Sequence, residues 1–429
     1  MNDQARRIQR VYLTLLLGNT LAASFIWGIN TLFLLDAGLS NLEAFAANAF
    51  FTAGMMIFEI PTGVVADTVG RRASYLLGTI TLAGATLLYY FLWELEAPFW
   101  SWAVVSILLG LGFTFFSGAT EAWLVDALNY AGYEGGLEAV LGRGQMIAGA
   151  AMLGGSVAGG VIAQATTLGV PFLLRVLVLL VMFVVAWALM HDLGFMPDRS
   201  AGPVKAVETV FSSSIKYGLG SPPVRWMMLA APFTSGVGFY TFYALQPYLL
   251  ELWGDEQAYS IAGLAAAIVA GAQIAGGYAA PRIRALFQKR TTALVLATVA
   301  TSAILLLLGL TSFFWTALAL LVGWGLLFAA SMPIRQAYLN DMIPSQQRAT
   351  VLSFDSLMGS TGGVVIQPVL GRAADVYSYG TSFVIGGLIE LLAVPFLLLS
   401  RRERSPADTA RGGAATPGPG ELALDDART

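Results

Sequence analysis

Gly63-Val64-Val65-Ala66-Asp67-Thr68-Val69-Gly70-Arg71-Arg72 lies between two strongly apolar runs, and the fold reading turns on this stretch. A connector between paired membrane helices needs only polarity. This one places an acid, two glycines and a basic pair within ten residues. It reads as a short polar loop with a task beyond connection, provided the chain around it is a polytopic membrane protein.

The composition supplies that setting. The 429 residues are 57% hydrophobic and only 11% charged, whereas a soluble domain carries about 25% charged residues. So little charge cannot cover a water-facing surface, so the lipid bilayer is the expected partner for most of the exterior. The formal net charge is −3, and no basic tract is interleaved with aromatics. That excludes nucleic acid as a partner. With no Cys and one His, His191, thiol chemistry, disulfides and Cys/His metal sites are excluded. No metal or other cofactor is expected. A membrane metalloprotease would need His-Glu-x-x-His, so the chain does not read as an enzyme. A sensor would need an output domain, which the short tail does not provide.

A membrane helix needs about 20 apolar residues. The candidates fall near 11–35, 44–66, 73–93, 99–127, 143–165 and 170–190, then 225–250, 258–281, 291–311, 314–340, 349–371 and 380–400. The fold expected is therefore an all-α polytopic membrane protein of twelve transmembrane helices in two six-helix halves. The halves are 1–191 and 225–400, joined by a polar linker at 192–224 and followed by a disordered tail at 401–429. The basic start, 1–10, precedes an apolar run too long for a signal peptide and is read as retained. With the N-terminus inside, all but Arg175 and Arg372 of the 23 Lys and Arg fall on the inner side, as the positive-inside rule requires. The expected location is the inner (cell) membrane of a bacterial-type cell, with both termini cytoplasmic.

The halves repeat. Ser117-x-x-x-Glu121-x-x-x-x-Asp126 aligns with Ser331-x-x-x-Arg335-x-x-x-x-Asn340 at an offset of 214, and Glu59 and Gly63 align with Gln273 and Gly277. Near Gly277 the acid is replaced by Pro281, and only the positive charge of Arg282, Arg284, Lys289 and Arg290 is kept. Parallel repeats enclosing a midplane site are a transporter architecture.

At Gly63, Asp67, Gly70, Arg71 and Arg72 the opening stretch closely resembles the loop between the second and third helices of major facilitator superfamily transporters. The resemblance extends from about 11 to 400. It implies two pseudo-symmetric halves working by alternating access, with Arg71 paired to Asp126 and Asp67 at the helix N-terminus near Ala349 and Thr350. These residues would hold the cytoplasmic side closed. An anion is favoured at a helix N-terminus. The plainer reading is an inert clamp.

Ionisable residues within spans mark function by default. Glu121 and Arg335 are expected to face each other across the cavity, as a gate, an anchor or a proton-coupling pair; a permanent structural pair is the alternative. Glu59, one turn before Gly63 and beside Pro61, and Asp355 are further candidates for proton coupling. Arg175 is read as snorkelling near a helix end. Span 5, 154–160, resembles the family's antiporter pattern, with Ser156 where Pro is expected; close packing of small residues explains it equally. Spans 1, 4, 7 and 10 imply a cavity lined by Asn19, Ser24, Trp27, Asn30, Thr31, Ser117, Tyr240, Tyr243, Gln246 and Tyr338. Aromatic and uncharged polar lining suits an amphipathic small-molecule substrate. The functional expectation is a monomeric secondary transporter exporting such a compound in exchange for protons. Uptake of a nutrient, such as a sugar or small organic acid, by symport or uniport is the alternative.

Overall fold

A computed structural model describes residues 3–197, 208, 212, 214–343 and 348–409. The N-terminal half runs α1 (Asp3–Trp27), α2 (Asn30–Asp36), α3 (Asn41–Thr68), α4 (Arg71–Glu94), α5 (Phe99–Thr114), α6 (Ala119–Tyr130), α7 (Leu137–Ala165) and α8 (Gly169–Leu189). After a single π-helical turn, Ser214–Leu219, the second half runs α9 (Pro222–Trp253), α10 (Tyr259–Ala285), α11 (Arg290–Leu310), α12 (Phe314–Met342), α13 (Arg348–Val376), α14 (Tyr379–Leu391) and α15 (Ala393–Arg402). Counting α1 with α2, α5 with α6 and α14 with α15 gives twelve crossings. Among the described residues nine such units are long and apolar enough to span a membrane, or ten with the bent α1–α2 pair counted as one. The other two, α9 and α13, have the length but are less apolar.

Each pairing in the first half recurs in the second. Helix α1 packs on α7 and α8, as α9 packs on α13 and α15. Helix α3 packs on α5 as α10 does on α12, and α4 packs on α8 as α11 does on α14. The halves meet along α3 with α13 and along α7 with α10. Outward faces are apolar and uncovered: Leu177, Leu180, Val181, Val184 and Trp187 of α8 are exposed. A stripe of this kind requires lipid as its solvent.

Two faces can be told apart. Twelve crossings put both chain ends on one side, the terminal face, opposite a distal face. The two hydrophobic clusters toward the distal face mix the halves: Leu250 and Ala262 join Phe33 and Trp102, while Phe45 joins Tyr240 and Phe383. The two clusters toward the terminal face each draw on one half alone. The glycines agree. A Cβ on Gly263 would stand 2.5 Å from the Ser156 carbonyl oxygen and 2.9 Å from the Gly160 Cα, whereas one on Gly63 or Gly277 would meet nothing within 4 Å. The halves are therefore closed together distally and parted at the terminal face.

Several sequence expectations change. The stretch 63–72 is mostly helical: α3 continues to Thr68 through Pro61, and only Val69 and Gly70 separate it from α4. Thr62 and Ala66 are buried along one face, which holds the added turn. Span 1 breaks at Gly28 and Ile29 with a 46° bend. Span 4 breaks at 115–118, where Gly118 takes φ +66°, so the expected single helix from 99 to 127 is two helices, α5 and α6. The start of the tail is ordered: Pro406–Asp408 forms a 3₁₀ turn with Ala407 and Asp408 buried. Residues 410–429 lie outside those described.

The α7–α10 crossing tests the distal closure. Gly263→Val should force these helices apart. Because the chain has no Cys, Ala23→Cys can report from the cavity wall. A membrane-impermeant maleimide added at the distal side should label Ala23→Cys slowly, and the Gly263→Val double variant at least about tenfold faster.

Candidate functional site

Between the halves lies a cavity of about 1440 Å³, open solvent included, bounded by α1, α2, α3, α4, α5, α8, α9, α10 and α12. Its wall is aromatic, with Trp27, Phe51, Phe113, Phe242, Tyr243 and Phe328 prominent. The polar lining is sparse: Asn30, Asn48, Ser235, Gln273 and Arg175. Of the residues expected there, Trp27, Asn30 and Tyr243 do line it. Asn19 is occupied by the Tyr75 hydroxyl at 2.9 Å, Ser24 is buried and donates to the Thr20 carbonyl at 2.5 Å, Tyr240 is buried against Ser382, and Tyr338 is buried with its hydroxyl 3.2 Å from the Ser400 Oγ. Tyr338 lies in an intra-half core, while Tyr240 lies in the mixed distal cluster, between Phe383 of its own half and Phe45 of the other. A helical stripe alone does not reveal which neighbour it meets.

Thr31 and Gln246 form the distal lock. A continuous helix would bond Thr31 N–H to the Trp27 carbonyl, and the break at Gly28 and Ile29 removes that bond. Gln246, from the other half, replaces it: its Oε1 accepts from Thr31 N at 2.9 Å and its Nε2 donates to the Trp27 carbonyl at 2.7 Å. Thr31 Oγ1 also donates to the Tyr243 carbonyl at 2.9 Å. Asp375, at the end of α13, accepts from Asn41 N and Leu42 N, both at 2.9 Å, and so caps α3 from across the interface.

At the terminal face, Arg71 bonds Asp67 one turn away and reaches Asp126 at 3.8 Å. Arg72 donates from its backbone to Asp192 Oδ1 at 2.9 Å and from its guanidinium to the Trp187 carbonyl at 2.5 Å. Asp192 thus caps α4. Gly70, at φ +133°, lies against that carboxylate, where a side chain would collide. Helix α13 begins at Arg348; residues 344–347 before it and the side chains of Ala349 and Thr350 lie outside those described. Asp67 is 52% exposed and engaged by Arg71.

The second half holds a matching cluster that its sequence did not suggest. Arg290 donates to Asp341 at 2.6 Å and to the Ala407 carbonyl at 3.0 Å, while Asp408 takes Thr291 N and Oγ1, both at 2.8 Å. The acid sits one place beyond Asn340, the residue aligned with Asp126. The capping aspartate lies in the tail.

Glu121 and Arg335 do not meet. Arg335 forms a two-pronged pair with Asp355 at 2.5 and 2.6 Å and donates to the Met227 carbonyl at 3.2 Å. Glu121 is exposed and bonds to none of the described residues. The parting of the halves at this level separates them, and the Gly118 break turns α6. Ser117 donates to Glu59 at 2.6 Å within the first half, and neither residue lines the cavity wall. Glu390 is 3% exposed and accepts from Thr301 at 2.9 Å.

Arg175 is the residue sequence reasoning misjudged. It is 8% exposed and turned into the cavity, not snorkelling to an interface. Its signal was present: it is the one charged residue in α8 and enters on the seventh residue, about 10 Å deep at 1.5 Å per residue.

Two halves of matched helices around a midplane cavity, closed on one face, are the architecture of a secondary transporter. The Major Facilitator Superfamily model matches residues 12–328 and 286–424, and the chain belongs to that family. It is a multi-pass membrane transporter and not an enzyme. Among curated proteins no relative matches. The fold resembles the nucleoside transporter NupG (TM-score 0.75, 8% identity, covering 94% of this chain and 100% of that one). It also resembles a POT family transporter in complex with a thioalcohol-conjugated peptide (0.69, 12%, covering 92% and 96%). A third similar structure is a bacterial homologue of the human lysosomal transporter Spinster in an inward-facing, unoccupied conformation (0.71, 15%, covering 96% and 100%).

Two variants probe these contacts. Asp355→Asn leaves Arg335 partly buried without its counter-charge and should cost about 3 kcal/mol of stability, read as a lower midpoint of thermal unfolding in detergent; Arg335→Gln added to it should recover much of the loss. Gln246→Leu removes the replaced helix bond and should speed distal labelling of Ala23→Cys by at least about tenfold.

Proposed function

We propose that the protein exports a small amphipathic compound across the cell membrane in exchange for protons. The observation that carries this reading is the aromatic, sparsely polar cavity, with a half-buried carboxylate, Glu59, on α3, a helix that also lines that cavity. Aromatic walls bind apolar bodies with little demand for matched hydrogen bonds. A carboxylate held by a single serine hydroxyl is placed to take a proton when the mouth closes. Glu121, exposed nearby, is a second proton acceptor, and the Arg335–Asp355 pair is a charge pair that a conformational change can open. Gly63, Asp67, Gly70, Arg71, Arg72 and Asp126 form the gating cluster. The excess of Lys and Arg on the terminal face supports a cytoplasmic orientation for it and for both termini. The whole path is enclosed by one chain, which supports a monomer as the working unit.

Uptake of an organic acid with a proton is the second reading, favoured by one observation: a lone cation, Arg175, in the cavity wall.

Proteoliposomes with a trapped pH dye test the proposal. A panel of amphipathic compounds should trigger proton flux through wild-type protein, and Glu59→Gln should abolish that flux while leaving compound binding within about threefold. Compound exchange without proton movement would overturn coupling. Uptake of organic acids, and not of neutral amphiphiles, accompanied by protons in the same direction would favour the second reading.

A further inference from the structure

A buried cation without a counter-ion costs several kcal/mol, so the surroundings of Arg175 need explanation. No described residue gives its guanidinium a hydrogen bond or an ion pair, and its Nε is buried without a partner. No Asp or Glu lines the cavity. The nearby tyrosines offer only hydroxyls, and that of Tyr89 is already paired with Ser106 at 2.5 Å. Other donors in the same wall are likewise unanswered: Asn48 Nδ2 and Trp324 Nε1 are buried with no acceptor. Asn48 does accept, from Asn30 at 3.0 Å, but its donor side stays free. The cavity therefore has a surplus of donors and one positive charge, set among aromatic rings.

We propose that Arg175 anchors the anionic head of the transported compound, and that the substrate is an amphipathic monoanion: one carboxylate on an apolar, aromatic-sized body. This rests on the transport reading above and narrows its substrate class. A planar guanidinium holds a carboxylate through two parallel N–H···O bonds. Asn48 and Trp324 supply donors in the same wall for further acceptor atoms. One cation sets the charge, because a second anionic group would enter the cavity without a counter-charge. The rings of Trp27, Phe242 and Phe328 take the body.

Purified protein titrated with phenylalkanoates and their uncharged amides tests this, by calorimetry and by thermal unfolding. Wild type should bind the acids roughly 10- to 100-fold more tightly than the amides, the range for a hydrogen bond to a charged group. Arg175→Gln should lose that preference, and Arg175→Lys should restore part of it. Without ligand, Arg175→Gln should unfold at a higher temperature than wild type, since the variant buries no unpaired charge; a structural arginine would give the opposite shift. The acids should raise the unfolding midpoint of wild type and not of Arg175→Gln. Equal binding of acids and amides, binding of neither, or an acid preference that survives in Arg175→Gln would each overturn the anchor. Transport in vesicles separates this from the broader reading. If acids and amides are carried alike, the carrier stands and the anchor falls. If acids bind through Arg175 but are not carried, Arg175 is an anion site only, and the monoanionic substrate is overturned.

Discussion

A backbone in lipid must satisfy its own hydrogen bonds, and wherever this chain leaves the helix something else has to answer for the freed groups. The break at Gly28 and Ile29 shows the consequence most directly. The amide of Gln246 enters the gap and bonds to the donor and acceptor that a continuous helix would have joined. The bend and the inter-half contact are therefore one feature. Moving the halves apart distally exposes two backbone groups as well as an interface, so distal opening needs water or ligand to replace the amide. Trp27 and Asn30, on either side of the break, line the cavity, which places cavity wall and distal closure on the same few residues.

The fold was largely legible because hydrophobic length and a repeat at a fixed offset are strong signals in a membrane chain. Arg71 and Asp126 were legible for a similar reason, as both belong to a recognisable pattern. What escaped depended on contacts between distant elements. Tyr240 and Tyr338 were expected in the cavity wall, yet Tyr338 packs inside its own half and Tyr240 in the distal cluster with Phe45 and Phe383, because a helical stripe does not name its neighbour. Arg335 was matched with Glu121 by symmetry, but Asp355 on the adjacent helix is nearer and makes a two-pronged pair. Arg175 was read as peripheral from its place near a predicted span end, although α8 carries it inward. The aspartates that cap α4 and α11 sit in the linker and the tail, where composition suggested only solvent.

The two halves differ in the character of their charge. The first half keeps Glu59 half-buried under the Ser117 hydroxyl and Glu121 exposed. The second half keeps Asp355 paired and Glu390 buried against Thr301. The closed distal face and the parted terminal face put the accessible acids on the open side.

The paired latches have a consequence for how the protein is made. Asp192 lies just past the last helix of the first half and secures that half's third span; Asp408 does the same for the second half. Each bundle thus carries its own fastening at its trailing end. During synthesis the first six crossings can be drawn together as soon as residue 192 emerges, before any of the second bundle exists. Each bundle can therefore be fastened without the other, and only the docking of α3 on α13 and of α7 on α10 needs both halves.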